Sequence, residues 1–391
     1  MHGRAVRLSL GVTLCGLLFS VPTGAHDRFH ILHTFLDGDD GGTSNAPVIL
    51  DRKGNVYGTA LQGGANNDGV VFRITPKGKL STLYSFAGGN DGDKPEAGLV
   101  MDRSGNLYGT TNLGGPADQG TVFKVMPDGT EAVLHAFTGG GDGGYPQANL
   151  LLDKTGNLFG TTVSGGSGCS DGCGTVFKIA ADGTFTTLYA FKGGDDGWFI
   201  MSGLIADGKG NLYGTAQSGG AHGFGTVFRL SQNGALKVLY AFQGGNDGAY
   251  SQAGLIRDSS GNLYGTTRGG GGSGACGEYG CGTIFKLAPD GTETVLYAFQ
   301  GGSDGGEPYG GVTADASGNL YGTTIAGGDG GLGVVFELLS GGPLKLLHIF
   351  QGTSDGAWPE AGIALDSSGS VYGTAYAEGP DGWGTVFRIR Q

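Results

Sequence analysis

The sequence predicts an all-β fold, a seven-bladed β-propeller with four antiparallel strands in each blade. Glycine supplies 86 of the 391 residues, about three times its ordinary share, which is typical of a chain with many tight turns. Hydrophobic residues make up 38 % of the chain and aromatic residues 10 %, too much apolar surface for a disordered protein. Glycine shows no period of three, which excludes collagen. The third observation is a sevenfold internal repeat.

The repeat is defined by three phrases that each occur seven times. The phrase Gly-Asn-Leu-Tyr-Gly-Thr, with small variations, recurs at intervals of 51, 51, 54, 51, 57 and 51 residues. It starts at Gly54, Gly105, Gly156, Gly210, Gly261, Gly318 and Gly369. Each copy reads as four short strands, placed in the second copy at residues 97–102, 107–112, 121–126 and 130–137. Four strands in about 50 residues, repeated around a ring, are the signature of a propeller blade.

The two ends of the repeat array predict how the ring closes. Residues 29–35 read as a fourth strand without its first three, and residues 387–391 read as a third strand without its fourth. We therefore expect the N-terminal strand to complete the last blade and to remove an open sheet edge. The predicted domain is a single propeller over residues 26–391.

The first 25 residues have the pattern of a secretory signal peptide. Arg4 and Arg7 precede a short apolar run, and small residues lead to a cleavage site after Ala25. We expect a secreted protein, extracellular or periplasmic, with no membrane span in the mature chain.

The mature chain keeps four cysteines, in two closely spaced pairs. An even number in an exported chain favours disulfides, here Cys169–Cys173 and Cys276–Cys281. Each pair lies in one of the two repeats that are longer than 51 residues, so each bridge would restrain a glycine-rich loop. Metal binding by thiolates is the alternative, although the spacing is wider than in common zinc sites.

The repeat resembles the GloVer tandem repeat, a bacterial extracellular family. The resemblance covers essentially the whole mature chain and implies export and a propeller-like fold, but no established activity. Members often carry C-terminal anchors, whereas this sequence ends at Gln391 within a repeat. We therefore expect release or periplasmic residence rather than anchoring.

The charge of the chain restricts its partners. The net charge of −12 and the pI near 4.9 disfavour binding to nucleic acid or anionic lipid. The expected partner is a glycan or an extracellular or cell-surface protein, and the expected state is a monomer.

Aromatic residues that are not shared by the repeats indicate a binding face. In a propeller, the loops between strands 2 and 3 and between strand 4 and the next blade share one face, here called the top face. The turns between strands 1 and 2 and between strands 3 and 4 form the bottom face. The candidate ligand contacts on the top face are Tyr145, Trp198, Tyr250, Tyr309, Trp358 and Trp383. The alternative is that these rings only cover glycine-rich loops.

Two sets of recurring aspartates have both a structural and a functional interpretation. On the top face, the candidates for contact with a polar ligand or Ca²⁺ are Asp91, Asp142, Asp196, Asp247, Asp304 and Asp355, with Asp40 at the same position. On the bottom face, capping of the turn is favoured for Asp51, Asp102, Asp153, Asp207, Asp258, Asp315 and Asp366. For the top-face aspartates, too, a role in forming the tight turn is favoured over ligand binding. We expect the protein to need no cofactor.

No motif in the sequence identifies a catalytic site. Two Gly-x-Ser-x-Gly matches, at Ser303 and Ser354, lack the strand–helix turn that a nucleophile elbow needs. A non-catalytic binding or scaffold protein is therefore the main hypothesis. The alternative is a secreted carbohydrate-active or lyase-type enzyme with its site at the top of the central channel. An acid–base pair with perturbed pKa values at the channel mouth would favour the enzyme, and aspartates that merely cap their own turns would favour binding.

Overall fold

The computed structural model describes residues 28–166, 169, 172–272 and 275–391. Twenty-eight strands form seven four-stranded antiparallel sheets arranged as the blades of a ring, which confirms the predicted propeller. The only helices in these ranges are three short 3₁₀ turns, at Gly89–Asp91, Gly194–Asp196 and Gly277–Tyr279. None of the described helices is long and apolar enough to cross a membrane. The predicted signal peptide, residues 1–25, lies outside the described residues.

Each blade repeats a two-residue inner strand, two five-residue strands and a six-residue outer strand. Blade 1 consists of β2 (Ile49–Leu50), β3 (Val56–Ala60), β4 (Val70–Ile74) and β5 (Leu80–Ser85). Blade 2 consists of β6 (Val100–Met101), β7 (Leu107–Thr111), β8 (Thr121–Val125) and β9 (Glu131–Ala136). Blade 3 consists of β10 (Leu151–Leu152), β11 (Leu158–Thr162), β12 (Thr175–Ile179) and β13 (Phe185–Ala190). Blade 4 consists of β14 (Ile205–Ala206), β15 (Leu212–Ala216), β16 (Thr226–Leu230) and β17 (Leu236–Ala241).

The remaining blades follow the same pattern. Blade 5 consists of β18 (Ile256–Arg257), β19 (Leu263–Thr267), β20 (Thr283–Leu287) and β21 (Glu293–Ala298). Blade 6 consists of β22 (Thr313–Ala314), β23 (Leu320–Thr324), β24 (Val334–Leu338) and β25 (Leu344–Ile349). Blade 7 consists of β26 (Ala364–Leu365), β27 (Val371–Ala375) and β28 (Thr385–Ile389), with β1 (Phe29–Thr34) as its outer strand. β1 runs antiparallel to β28, with Phe29 opposite Ile389 and Thr34 opposite Thr385.

Two recurring phenylalanines hold neighbouring blades together. The Phe that follows each outer strand packs edge-on against the strand-3 Phe of the next blade, with ring centroids 5.0 to 5.5 Å apart. The seven pairs are Phe35–Phe72, Phe86–Phe123, Phe137–Phe177, Phe191–Phe228, Phe242–Phe285, Phe299–Phe336 and Phe350–Phe387. All of these rings are buried. One such pair therefore lies at each of the seven interfaces between blades.

The threonine of the repeated phrase adds a polar link at the same interfaces. Its hydroxyl donates to a backbone carbonyl in the innermost segment of the next blade, as Thr59 does to Ala97 at 2.9 Å. Thr374 of blade 7 donates in the same way to Ala46 of blade 1 at 3.1 Å. Because the acceptors precede strand 1 of each blade, these bonds position the segments that surround the central channel.

The glycine of the repeated phrase faces the strand-3 phenylalanine across the sheet. Gly214 lies opposite Phe228 in the register of β15 and β16, and a Cβ atom at Gly214 would come within 2.7 Å of the Phe228 ring. The same pairing recurs in every blade, for example between Gly58 and Phe72. The space for the buried ring is thus created by the missing side chain.

The bottom-face aspartates cap their own turns, as expected. Asp51 accepts hydrogen bonds from the backbone N–H groups of Lys53 and Asn55 at 2.8 and 2.9 Å, and from the side chains of Asn55 and Tyr57. Partial burial alone would raise the pKa of Asp51, but these hydrogen bonds hold it below its ordinary value. The same pattern in the other blades gives these carboxylates a structural role.

The two cysteine-containing loops lie between strands 2 and 3 of blades 3 and 5. Disulfides join Cys169 to Cys173 and Cys276 to Cys281. Cys173 and Cys281 are buried at the base of their loops.

Two glutamates occupy an outer position that is apolar in the other blades. Glu131 and Glu293 begin β9 and β21, where the equivalent residues are Leu80, Phe185, Leu236, Leu344 and Phe29. Burial and then the charge of Asp91 raise the pKa of Glu131 to about 7. Burial and then the charge of Asp247 raise the pKa of Glu293 to about 7. Both values lie well above the ordinary pKa of 4.5.

These glutamates should make the stability of the protein depend on pH. Below pH 4.5 both glutamates are protonated in the folded and in the unfolded protein. Between pH 4.5 and 7 the glutamates of the unfolded chain lose protons that those of the folded protein keep. The free energy of unfolding therefore falls as the pH rises through this range. Relative to the double variant Glu131→Gln, Glu293→Gln, the wild type should lose about 1 kcal/mol per glutamate between pH 5 and pH 8, since half-exposed groups are screened by solvent. Urea unfolding of both proteins at the two pH values measures this difference. A constant offset between the two proteins would contradict the prediction.

Candidate functional site

The innermost segments of the blades line a cavity of about 460 Å³ at the channel. One residue per blade, at the same position of the repeat, lines this cavity on the top-face side and is called here the inner ring. The inner ring consists of Asn45, Glu96, Gln147, Met201, Gln252, Tyr309 and Glu360. In six blades, the backbone carbonyl of the residue after the ring member accepts the threonine hydroxyl from the preceding blade. The hydrogen bond therefore holds the backbone next to the inner-ring residue in place, whereas the side chain of that residue differs between blades.

A second ring lies two residues earlier in every blade. Its members all have positive φ, between 47° and 59°, a left-handed conformation that non-glycine residues adopt at a cost. This left-handed ring consists of Thr43, Lys94, Tyr145, Phe199, Tyr250, Glu307 and Trp358. The carbonyl of each accepts from the N–H group that follows strand 2 of its own blade, as Trp358 does from Tyr376 at 3.2 Å. Main-chain hydrogen bonds thus hold the strained conformation.

Three consecutive blades place hydrogen-bond acceptors side by side in the inner ring. Glu360 of blade 7, Asn45 of blade 1 and Glu96 of blade 2 form this acidic arc. Burial and then the charge of Glu96 raise the pKa of Glu360, while Arg268 opposes the shift. Burial also raises the pKa of Glu96, against a hydrogen bond from Asn112 and the charge of Lys94.

The acidic arc has few partners inside the protein. Glu96 accepts one hydrogen bond, from the Asn112 amide at 3.2 Å. The Oδ1 atom of Asn45 is buried without a hydrogen-bond partner among the described residues. Burial and then the charges of Glu360 and Glu96 raise the pKa of Tyr376.

Across the cavity from the acidic arc lies the amide of Gln252, and the cation Arg268 contacts the inner-ring residue Tyr309. Gln252 is only 6 % exposed, and both its Nε2 and Oε1 atoms lack a hydrogen-bond partner within the described part of the chain. Arg268 pairs with Glu307 at 3.1 Å and lies over the Tyr309 ring, 5.3 Å from its centroid. The cavity therefore combines carboxylates, amides and aromatic edges.

The structure divides the predicted aromatic contacts among three places. Tyr309 belongs to the inner ring, whereas Tyr145, Tyr250 and Trp358 belong to the left-handed ring. Trp198 lies next to that ring and stacks on Phe199 at 4.6 Å. Trp383 lies in the loop between strands 2 and 3 of blade 7, where its carbonyl accepts a hydrogen bond from the backbone N–H group of Thr43 at 2.8 Å. All three tryptophans are exposed, but only Trp358 lies two residues from a member of the acidic arc.

The predicted top-face aspartates are engaged by their own loops. Asp91 accepts from the Tyr84 hydroxyl at 2.7 Å and from the Ala87 N–H group at 2.9 Å. Tyrosine or histidine of the preceding outer strand reaches the aspartates of the other blades at 2.8 to 3.2 Å. This engagement covers Asp40, Asp142, Asp196, Asp247, Asp304 and Asp355.

Cation binding at these loops stays a prediction. Among residues 28–166, 169, 172–272 and 275–391, no group of three or more His, Cys, Asp or Glu side chains is arranged to hold a metal ion. The hydrogen bonds of the aspartates account for their recurrence without one.

The acidic arc and Gln252 were missed by reasoning from the sequence. The inner-ring position holds five different residue types in the seven blades, so it belongs to none of the three recurring phrases. The signal was still present: aligning the repeats places Asn, Glu, Gln, Met, Gln, Tyr and Glu at one position just before strand 1. The residue type therefore varies at this position, whereas the three phrases that define the repeat recur in every blade.

Comparisons with known proteins agree with the fold. The sequence model of the Gloeobacter/Verrucomicrobia repeat matches residues 6–172, 89–277 and 274–391. The sequence has no match among curated proteins. The extracellular domain of BT4673, a candidate hybrid two-component system of B. thetaiotaomicron, superposes with a TM-score of 0.58 at 11 % identity over 92 % of this chain. This chain spans 39 % of that domain.

A second solved structure has a similar length. A candidate 6-phosphogluconolactonase from Bacteroides uniformis superposes with a TM-score of 0.53 at 14 % identity, covering 82 % of this chain and 89 % of its own. At such identities the likeness shows a shared propeller fold and nothing about chemistry.

Proposed function

The chain belongs to the Gloeobacter/Verrucomicrobia repeat family, and from this premise we propose that it is an exported, non-catalytic binding protein that holds a saccharide at the top mouth of its channel. The two disulfides and the likeness to an extracellular domain are consistent with an extracellular location. The fold alone assigns no ligand, so the proposal depends on the side chains of the inner ring.

The buried amide of Gln252 is the observation that carries the proposal. An unpaired buried polar group costs about 1–3 kcal/mol, so it is retained where a ligand satisfies it. An amide offers both donors and an acceptor, which matches sugar hydroxyls that donate and accept. Asn45 and Gln147 line the same cavity, whose size of about 460 Å³ is typical of a small-molecule site.

The left-handed ring supports the same conclusion. In a chain with 86 glycines, all seven of these positions carry side chains at positive φ. Such strain persists where the side chain has a function. Trp358 is 41 % exposed, lies two residues before Glu360 in the sequence, and offers an apolar ring that suits the apolar face of a sugar.

Tryptophan and amide substitutions on the top face should weaken saccharide binding. Trp358→Ala and Gln252→Ala should each raise the Kd by about tenfold or more, because Gln252 lines the cavity and Trp358 exposes its ring two residues before Glu360. Trp198→Ala should have a smaller effect, since Trp198 precedes strand 1 of blade 4 whereas the acidic arc belongs to blades 7, 1 and 2. A glycan array with the protein lacking residues 1–25, followed by calorimetry on each hit, measures these changes.

The bottom face provides the matched controls for this experiment. Arg52→Ala and Lys154→Ala should leave the affinity unchanged, since both residues lie in turns between strands 1 and 2. Variants with normal melting temperatures and unchanged Kd at Trp358 and Gln252 would contradict the proposal. Loss of the fold in Trp358→Ala would instead show that the ring merely covers its loop.

The alternative function is an enzyme that acts on saccharides at the same mouth. The observation in its favour is the pair Glu96 and Glu360, whose pKa values burial raises, because a proton-bearing carboxyl group beside a second carboxylate can act as a general acid. Product analysis after incubation with each array hit tests it. Turnover that Glu360→Gln abolishes while binding persists would favour the enzyme.

A further inference from the structure

The acidic arc differs from the rest of the inner ring in what it offers a ligand. Glu360 makes no hydrogen bond or ion pair within the described part of the chain, and Glu96 accepts only the Asn112 amide. The Oδ1 atom of Asn45, between them in the ring, has no described partner. Three neighbouring blades thus present acceptors. The charges of two cations act on the arc, Arg268 on Glu360 and Lys94 on Glu96, but neither forms an ion pair with it among the described residues, and Arg268 pairs with Glu307 instead.

We propose that the acidic arc binds the ammonium group of an amino sugar. This inference rests on the proposed saccharide-binding function and specifies its ligand. An ammonium group carries three N–H donors, one for each acceptor of the arc. Its charge would relieve the repulsion between Glu96 and Glu360, and the resulting charge-assisted hydrogen bonds are stronger than those of a neutral hydroxyl.

Gln252 provides an independent indication that a polyhydroxylated molecule occupies the cavity. It is more than nine-tenths buried, lines the same cavity as Glu96 and Glu360, and leaves both amide atoms unpaired among the described residues. A bare cation would not satisfy the amide donor. A sugar bearing an ammonium group satisfies the arc with its charge and Gln252 with its hydroxyls.

The repeat supplies conservative variants for the test. Gln147 and Gln252 already occupy the inner-ring position, so Glu96→Gln and Glu360→Gln place a residue there that two other blades accommodate. Glu131→Gln removes a carboxyl group from the outer layer and, with all measurements made at pH 8, above the pKa of Glu131, controls for long-range electrostatics. Melting curves establish that each variant is folded.

The experiment compares three oligosaccharides of equal length by calorimetry at low and moderate salt. The first is a β-1,4-linked glucosamine oligomer, the second its N-acetylated form, and the third the neutral glucose oligomer. The wild type should bind the glucosamine oligomer at least tenfold more tightly than the other two. Glu96→Gln and Glu360→Gln should each remove most of that preference, whereas Glu131→Gln should keep it.

The outcomes separate this inference from the proposed function. Equal binding of all three oligomers, or a preference that survives both substitutions, would overturn the ammonium site and leave a neutral saccharide site standing. Binding of none of them, together with an empty glycan array, would overturn both. Tight binding of a trilysine peptide that depends on Glu96 and Glu360, without saccharide binding, would also reject the amino sugar.

Discussion

Deleting residues 28–35 should destabilise the whole propeller by at least about 5 kcal/mol, a large part of the stability of an ordinary protein. The deletion removes β1 and exposes β28 as an open edge. It also removes Phe35, which is fully buried against Phe72 of blade 1, and loss of one buried phenylalanine costs about 3–5 kcal/mol. The melting temperature should fall by at least about 7 °C, or the chain should fail to fold.

A shorter truncation is the control for this deletion. The protein that lacks only residues 1–25 should melt like the full-length chain. A synthetic peptide of residues 28–35, added in excess, should partly restore the melting temperature by adding back the missing strand. Identical melting of the two truncated proteins would show that β1 does not close the ring.

Gly214→Val should destabilise the protein by about 3 kcal/mol or more. The new side chain would enter the space of the Phe228 ring, whose edge lies within 2.7 Å of a Cβ atom at Gly214, and overpacking a core costs about 1–3 kcal/mol even for small additions. Denaturant unfolding of the variant measures the loss.

Two further variants distinguish crowding from the general effect of replacing a glycine. Gly208 has no positive φ and no atom within 4 Å of its Cβ position, so Gly208→Ala should be nearly neutral. Phe228→Leu should offset part of the cost of Gly214→Val, giving a favourable coupling of at least about 1 kcal/mol in a double-mutant cycle. If the two substitutions lower the free energy of unfolding additively, the Phe228 ring is not the reason that position 214 requires glycine.

The fold could be predicted because the repeat encodes it locally. Asp51 and Asn55 form their turn by a hydrogen bond between residues four apart. The register of adjacent strands sets the pairing of glycine with phenylalanine. Each copy of the repeat therefore contains the interactions that form one blade. Seven copies then supply the blade number.

The candidate site could be predicted only in part, because it arises between blades. The sequence indicated the top face and exposed aromatics such as Trp358. It did not indicate that the charge of Glu96 raises the pKa of Glu360, 264 residues further along the chain, since that depends on ring geometry. Nor did it indicate the left-handed ring, because tyrosine and tryptophan are uncommon at positive φ and glycine would be the residue expected there.

The main-chain hydrogen bonds of the left-handed ring make the backbone independent of the side chains that the ring carries. The carbonyl of each ring member is held by a backbone N–H group, so the geometry does not depend on which side chain is present, and Thr, Lys, Tyr, Phe, Glu and Trp all occur there. A library randomised at these seven positions should therefore contain mostly folded proteins. The same architecture could diverge toward new ligands, or be selected toward them by display, through changes at single codons without rebuilding a blade.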